Sequence, residues 1–200
     1  MSLLLTGCSS DAEPAQRAAA GPRVVAPGKP DEPARTLTAE EAASAVPDDS
    51  PNSADHTYVQ MMIRHHEQAL TMTDLAATHA HSAQVKRLAG RIAAAQRPEI
   101  GAMRGWQASH GDPRKPSGHH DHGAMPGMAS PAQLDALRTA RGERFDALFL
   151  KLMITHHQGA VTMATEALSQ GNNTLVEEMA NDVVAQQTAE IQRMRGLRRS

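Results

Sequence analysis

Two short segments of the chain repeat one arrangement of histidine and methionine. MMIRHHEQALTM occupies residues 61–72 and LMITHHQGAVTM occupies residues 152–163, with an offset of 91 residues. In each segment two adjacent histidines precede a methionine, as in His65, His66 and Met72 and again in His156, His157 and Met163. Imidazole binds copper in either oxidation state, whereas thioether favours Cu(I). Core packing has little use for a doubled His-His pair, so the repeat favours a metal-binding function.

A second group of potential metal ligands lies between these segments. GHHDHGAMPGM, residues 118–128, contains five such side chains, which are His119, His120, His122, Met125 and Met128. Histidine-rich tracts bind metals through composition alone. As a flexible loop this stretch can collect Cu(II) through its imidazoles or Cu(I) through its thioethers. The alternative is a merely polar linker.

Other metals fit the side chains less well than copper. Cys8 is the only cysteine, so no thiolate cluster can form, and zinc rarely takes thioether ligands. A di-iron centre in a helical bundle normally needs about four glutamates and two Glu-x-x-His motifs. Only Glu99 and Glu190 are expected on inner helix faces. This shortage of carboxylates argues against oxygen-activating iron chemistry.

The spacing of apolar residues predicts the helices that carry these ligands. Around His65, apolar residues recur at three- and four-residue steps, and a second stripe runs from about Ser82 to Trp106. The same offset of 91 carries both stripes onto the second half without a gap. We therefore predict an all-α protein, an antiparallel four-helix bundle made of two repeated helical hairpins. Residues 55–107 form the first hairpin, 108–131 the linker and 132–200 the second hairpin.

Within each predicted hairpin, residues equally far from the turn lie at the same height. His65 is then level with Gln96 and close to Glu99, and the second hairpin repeats this arrangement. The expected interior layers contain His65, Gln96, Glu99, His156, Gln187 and Glu190. The methionines expected to flank them are Met72, Met103, Met163 and Met194. A hydrogen-bonded structural network with methionine as core filler remains the alternative to a metal site.

The chain as a whole points to no nucleic-acid partner. Its net charge is −2 and its pI is about 6.6, without the basic surplus that nucleic acids or anionic membranes attract. No run of 18 or more apolar residues suggests a membrane-spanning segment. The expected partner is a metal ion.

The N-terminal residues suggest export and a lipid anchor. LLLTGCSS, residues 3–10, resembles a bacterial lipobox, in which signal cleavage leaves Cys8 as a lipid-modified terminus. Residues 1–8 are too short for a full signal and read as a truncated remnant. Residues 9–54, rich in proline and alanine, predict a disordered tether with one brief helix capped by Thr38. We expect an exported protein anchored to the outer face of the bacterial cell membrane, the alternative being an ordinary cysteine.

Three stretches together resemble the domain-of-unknown-function 305 family. They are MPGM at residues 125–128, GERFDALFLKLMITHHQGAVTMA at residues 142–164, and MMIRHHEQALTM. The likeness covers about residues 55–197 and implies a ferritin-like four-helix bundle, export, and links to copper binding and tolerance, without assured catalysis. It makes the matching positions candidate copper ligands, namely His65, His66, Met72, His156, His157 and Met163. The first repeat departs from the family pattern, since Glu67-Gln68 stands where Gln-Gly is preferred.

Three functions are compatible with these observations. The leading hypothesis is an envelope lipoprotein that sequesters or buffers copper, mainly Cu(I), and has no catalytic residues. The second is a metal-free interaction module whose histidine, glutamine and glutamate side chains are structural. The third is a redox enzyme such as a cuprous oxidase, which needs an open coordination position and turnover in oxygen.

Overall fold

The protein is described by a computed structural model over residues 23–111 and 125–199. Within these residues it is mostly helical, with one small two-stranded sheet. The elements in chain order are β1 (Val24–Ala26), β2 (Arg35–Leu37), α1 (Ala39–Ser44), α2 (Ser53–His79), α3 (Ala83–His110), α4 (Pro131–Thr139), α5 (Gly142–Gln170) and α6 (Thr174–Leu197). The chain divides into two compact units, residues 1–48 and 49–200. None of the described helices has the length and apolar character that crossing a membrane requires.

The first unit contains the sheet, which the all-α prediction did not include. β1 pairs antiparallel with β2, and Val25 lies opposite Thr36. β-branched side chains favour this extended pairing, which the prediction of a disordered tether over residues 9–54 overlooked. The predicted brief helix is present as α1, where Thr38 and Glu41 form a reciprocal capping box. Cys8 lies outside the described residues.

The first pair of long helices in the second unit follows the predicted hydrophobic pattern. α2 begins after Asn52, whose side chain accepts from the backbone N–H groups of Ala54 and Asp55. α3 begins after Ser82 and extends to His110, past the predicted end at residue 107. Pro98 lies inside α3 without ending it. The loop between α2 and α3 is only three residues long, so the two helices form a tight hairpin.

The second half has one helix more than the predicted hairpin. α4 is a short helix whose N-terminus is capped by Ser130 and Gln133. It ends before Gly142, where a φ of +63° turns the chain into α5. α5 and α6 then pack against each other, as α2 and α3 do.

Two apolar clusters fill the interior of the second unit. The Phe149 cluster includes Met72, Leu88, Ile92, Phe149, Met153 and Met194. The Tyr58 cluster includes Tyr58, Met62, Ile100, Met103, Met163 and Val183. Along α2 the Tyr58 cluster precedes His65 and the Phe149 cluster follows it, whereas along α5 the order is reversed. α2 and α5 therefore run antiparallel, and the histidines lie between the two clusters.

Two aspartates lock the hairpins together in a reciprocal way. Asp55, at the start of α2, accepts hydrogen bonds from the backbone N–H groups of Asn172 (3.1 Å) and Asn173 (3.2 Å) in the α5–α6 loop. Asp146, near the start of α5, accepts from His81 (3.1 Å) and Ser82 (2.8 Å) in the α2–α3 loop. The two sets are related by the offset of 91. Each hairpin thus holds the loop of the other, and this fixes how α2 and α5 meet.

Candidate metal centre

Four histidines meet in a dry layer where α2 crosses α5. His65, His66, His156 and His157 are all fully buried, each with 0% of its surface exposed. The ring centroids of His65 and His156 are 3.7 Å apart. The sequence left open whether the second histidine of each pair faces solvent, and the structure buries both.

Each second histidine is paired with a glutamate from the other helix of its hairpin. Nε2 of His66 lies 2.8 Å from Oε2 of Glu99, and Nε2 of His157 lies 2.7 Å from Oε2 of Glu190. The expectation that the first histidines, His65 and His156, would lie beside these carboxylates is wrong. Equal distance from the turn fixes the height of a residue, but adjacent residues differ by about 100° in direction around the helix axis.

Hydrogen bonding fixes the tautomers of three of the four rings. The carbonyl oxygen of Pro126, 3.1 Å from Nε2 of His65, can only accept, so that nitrogen carries the proton. The carboxylate oxygens of Glu99 and Glu190 likewise accept from Nε2 of His66 and His157. A neutral ring that donates from Nε2 leaves Nδ1 as an acceptor. In metalloproteins a ligating histidine characteristically donates its other N–H to a carboxylate or backbone carbonyl in this way.

The remaining ring nitrogens have no hydrogen-bond partner among the described residues. This holds for Nδ1 of all four histidines and also for Nε2 of His156. The side-chain amides of Gln96 and Gln187, both buried, are in the same situation. An unsatisfied buried polar group costs about 1–3 kcal/mol. The layer therefore holds an unusual number of free lone pairs, which a bound ion would satisfy.

Burial keeps the central pair of rings neutral. Burial, helped by the neighbouring His66 and partly opposed by the Pro126 carbonyl, lowers the pKa of His65 to about 3. Burial also holds the pKa of His156 well below its usual range, with His65 and His157 adding to the effect and a backbone contact with His65 opposing it. Neutral imidazole is the form that binds metal ions, so the pair needs no proton release before binding at pH 7.

The MPGM turn packs onto this layer, which corrects the expectation of a flexible loop there. Met125 is buried and the Pro126 carbonyl accepts from His65. Met128 is half-buried in the same segment. The other predicted ligands of the linker, His119, His120 and His122, lie outside the described residues.

The turn also explains why the two repeats differ at one position. The side-chain amide of Gln68 makes two hydrogen bonds with the backbone of Ala129. It accepts from the N–H group (2.7 Å) and donates to the carbonyl oxygen (3.0 Å). Gly159 is the equivalent residue in the second repeat, and a Cβ there would overlap the carbonyl oxygen of Pro126. Gly127, with a φ of +79°, completes the close approach. Gln68 of the first repeat hydrogen-bonds the turn, and Gly159 of the second repeat leaves the space that the turn occupies.

The four methionines expected to flank the site do not gather at one point. Met72 and Met194 belong to the Phe149 cluster, whereas Met103 and Met163 belong to the Tyr58 cluster. All four are buried among apolar side chains, as core residues are.

Two other methionines, which the sequence analysis did not select, lie closer to the histidines along the helices. Met62 precedes His65 by three residues, and Met153 precedes His156 by three. Residues at this spacing are neighbours on a helix surface, and both methionines are fully buried. The i, i+3 spacing in the sequence would have been enough to select Met62 and Met153 as the methionines next to His65 and His156 on their helices.

Histidines and carboxylates do not complete a metal site by themselves. Across residues 23–111 and 125–199, no three His, Cys, Asp or Glu side chains are grouped so that they could hold a metal ion. A metal in the histidine layer would need ligands outside this set, and the buried thioethers of Met62 and Met153 lie one helical turn before His65 and His156. Such a mixed set suits soft Cu(I) better than zinc.

The sequence profile of a family described as a domain of unknown function, DUF305, matches residues 55–198. A similar solved structure is a DUF305 protein from Streptomyces coelicolor that is provisionally described as secreted. It is 32% identical, with a TM-score of 0.67, over 72% of this chain and 90% of that chain. A DUF305 fragment from Deinococcus radiodurans is 33% identical, with a TM-score of 0.67, over 74% of this chain and 96% of its own.

A third similar structure is CopM in its Cu(II)-bound form. It is 31% identical, with a TM-score of 0.62, over 72% of this chain and 95% of that chain. CopM with Cu(I), with silver and in its apo form is similar to this chain as well. Among curated proteins, none is similar enough to the chain to count as a match.

Proposed function

This chain belongs to the domain-of-unknown-function 305 family, and we propose that it is an exported protein that binds and sequesters copper. The cargo of the helical interior is Cu(I), held by imidazole nitrogens of the histidine layer with thioether sulfurs. Sequestration requires only affinity, so no nucleophile or general base is assigned. A lipid on Cys8 anchors the protein to the outer face of the cell membrane.

The observation that carries this proposal is the hydrogen bonding of the four buried histidines. Three of them donate from Nε2 to an acceptor, and all four leave Nδ1 without a partner. A purely structural network gains nothing from free lone pairs in a dry interior, because each one costs free energy. A metal-binding site does gain from unpaired nitrogen lone pairs, because the metal ion satisfies them when it binds. The copper-bound structures of CopM, a similar protein, support the choice of metal.

The proposed scaffold is an antiparallel, ferritin-like four-helix bundle. Its helices are α2, α3, α5 and α6, and its halves correspond to the predicted hairpins at residues 55–107 and 132–200. The packing of α2 on α3, of α5 on α6 and of α2 on α5 supports this arrangement. The bundle supplies rigid helices on which the histidines are fixed in place.

Within this proposal the linker provides a second collection site. His119, His120 and His122 collect Cu(II), and Met125 and Met128 lie where the linker reaches the helices. The Pro126 carbonyl connects this segment to His65. Replacing the three linker histidines by serine should lower the copper stoichiometry without unfolding the helices, which circular dichroism would verify.

A second candidate function is a metal-free interaction module. The bonds of His66 with Glu99 and of His157 with Glu190 favour it, because both are complete without a metal. It predicts a stable fold with no affinity for copper. A cuprous oxidase, by contrast, would consume Cu(I) in an oxygen-dependent reaction.

The deciding experiment is an anaerobic Cu(I) titration of the purified protein against a competing chromophoric chelator, with Zn(II) in parallel. The wild type should compete for Cu(I) and bind Zn(II) weakly. The double variant His65→Ala/His156→Ala should lose the interior site, whereas His81→Ala, which changes an exposed histidine, should not. Equal Cu(I) affinity in the double variant and the wild type would reject an interior copper site. Unchanged folding with no competition at all would favour the interaction module.

A further inference from the structure

A groove opens between α3 and α6 and leads to the histidine layer. It has a volume of about 790 Å³, and its lining includes Tyr58, Pro98, Glu99, Met103, Met179 and Asp182. α3 and α6 contact each other far less than the other neighbouring long helices do, which leaves this space between them. The two hairpins contact each other mainly through α2 and α5, and the groove is the space that remains between α3 and α6.

The floor of the groove carries polar groups that point to a cation. Glu99 is part of its lining, and the carboxylate of Glu99 lies 2.8 Å from the buried His66. The hydroxyl oxygen of Tyr58, a residue that is 4% exposed, has no hydrogen-bond partner among the described residues. Asp182 adds a second carboxylate at the rim, and Met103 and Met179 add thioethers. The hydrogen bond between Glu99 and His66 connects the groove to the histidine layer.

The equivalent region under the offset of 91 also lies between α3 and α6, and its glutamate is more enclosed. The side chain of Glu190, the counterpart of Glu99, is 4% exposed, whereas that of Glu99 is 22% exposed. Where the groove has Tyr58, Met179 and Val183, the counterparts Phe149, Leu88 and Ile92 belong to the Phe149 cluster. All three counterparts are fully buried, and none carries a hydroxyl or a thioether.

The charge at the rim differs between the two regions as well. Asp182 lines the groove, and its counterpart under the offset of 91 is Arg91. Both residues are exposed. A cation is drawn toward Asp182 and repelled by Arg91, because exposed charges steer approaching ions over roughly a Debye length of about 10 Å. Of the two glutamates, Glu99 is therefore the more exposed one and shares its groove with an acidic residue.

We propose that this groove is the route by which the copper ion reaches and leaves the histidine layer, with Glu99 and His66 as the first interior position. The more enclosed pair of Glu190 and His157 holds the ion on the side away from solvent. The inference rests on the proposed function, because it assigns a path to the same cargo. It makes the two repeats functionally unequal although their sequences match.

The test measures how fast the full protein takes Cu(I) from the chromophoric, cationic Cu(I)–neocuproine complex in anaerobic stopped flow. Ala102→Trp places a large ring in the groove, and Ala94→Trp places the same ring at an exposed position of α3 that does not line it. The groove variant should slow uptake and release about tenfold at unchanged equilibrium affinity. The control should match the wild type.

A charge reversal provides a second measurement that does not depend on tolerance of tryptophan. Asp182→Lys should slow uptake at low salt, and the difference from the wild type should shrink as salt is added. Glu143→Lys, the same change of charge at an exposed position near the start of α5 that does not line the groove, should leave the rate unchanged. Wild-type rates in both groove variants would overturn the proposed route while leaving copper binding in place. No Cu(I) uptake by the wild type would instead overturn the proposed function, and the route with it.

Discussion

The imidazole rings of His65 and His156 lie against each other, with 3.7 Å between their centroids, although 91 residues separate them in the chain. Both rings are fully buried, and burial holds them neutral. Protonation of either ring would place a charge beside the other ring in a dry interior. The apo protein should therefore resist acid poorly.

The first prediction concerns the pH dependence of stability in the metal-free protein. In the unfolded chain these histidines bind protons below about pH 6.5, whereas folded His65 does so only near pH 3. The unfolded state then binds more protons throughout this window, so the free energy of unfolding falls as the pH falls through it. Each ring contributes up to about 1.4 kcal/mol per pH unit. Urea unfolding at a series of pH values, with a chelator present, measures the slope.

A matched pair of variants isolates this effect from the other histidines. His65→Gln/His156→Gln should flatten the dependence between pH 6 and pH 4, relative to the wild type. His81→Gln, at an exposed position, should leave it unchanged. A double variant as steeply pH-dependent as the wild type would show that other groups control the acid sensitivity.

The second prediction concerns the reciprocal aspartates that join the hairpins. Asp55→Ala should lower the free energy of unfolding by about 1–3 kcal/mol, because the N–H groups of the buried Asn173 and of Asn172 lose their acceptor. Asp146→Ala should cost a similar amount at the opposite loop. Chemical denaturation measures both. Asp74→Ala, which removes an exposed ion pair with Arg97, should change stability by less than about 1 kcal/mol, and equal effects at all three positions would contradict the locking role.

The third prediction concerns the glycine beneath the MPGM turn. Gly159→Ala should destabilise the protein by about 1–3 kcal/mol, because the added Cβ would collide with the Pro126 carbonyl and displace the turn. His65 would then lose its hydrogen-bond acceptor. Gly101→Ala is the control, since its Cβ meets open space on α3 and should stabilise the helix by about 0.5–1 kcal/mol. Thermal unfolding distinguishes the two signs, and stabilisation by both substitutions would exclude a tight contact with the turn.

The sequence predicted the four long helices well, because helical periodicity is visible within a few turns of the chain. The stripes around His65 and its counterpart recur at helical spacing, and the offset of 91 carried α2 and α3 onto α5 and α6. The predicted cap at Thr38 also agrees with the structure. Such features depend on neighbours within a few residues, so one sequence suffices to see them.

The details of the site depend on contacts between distant residues, and these were harder to predict. The height of His65 in its hairpin was inferable, but its direction was not, so Glu99 was assigned to the wrong histidine of the pair. The two hydrogen bonds from Gln68 to Ala129 span 61 residues and have no local signature. The difference between Gln68 and Gly159 looked like a departure from a pattern, and only the packed turn gives it a physical reason.

The last prediction concerns copper affinity and the two carboxylates that pair with His66 and His157. Glu99→Gln/Glu190→Gln keeps the shape of both side chains but weakens the acceptors that orient His66 and His157. Substitution of such supporting acceptors typically reduces metal affinity by about 10–100-fold, because the ring loses basicity and a fixed orientation. Competition with a Cu(I) chelator under anaerobic conditions measures the loss, and circular dichroism checks that the helices persist. Glu67→Gln, which changes a glutamate that pairs with Arg104 at the surface, should leave the affinity unchanged. If the double variant binds Cu(I) as tightly as Glu67→Gln does, the carboxylates serve only to satisfy buried imidazoles, and the copper ligands must be sought in the linker.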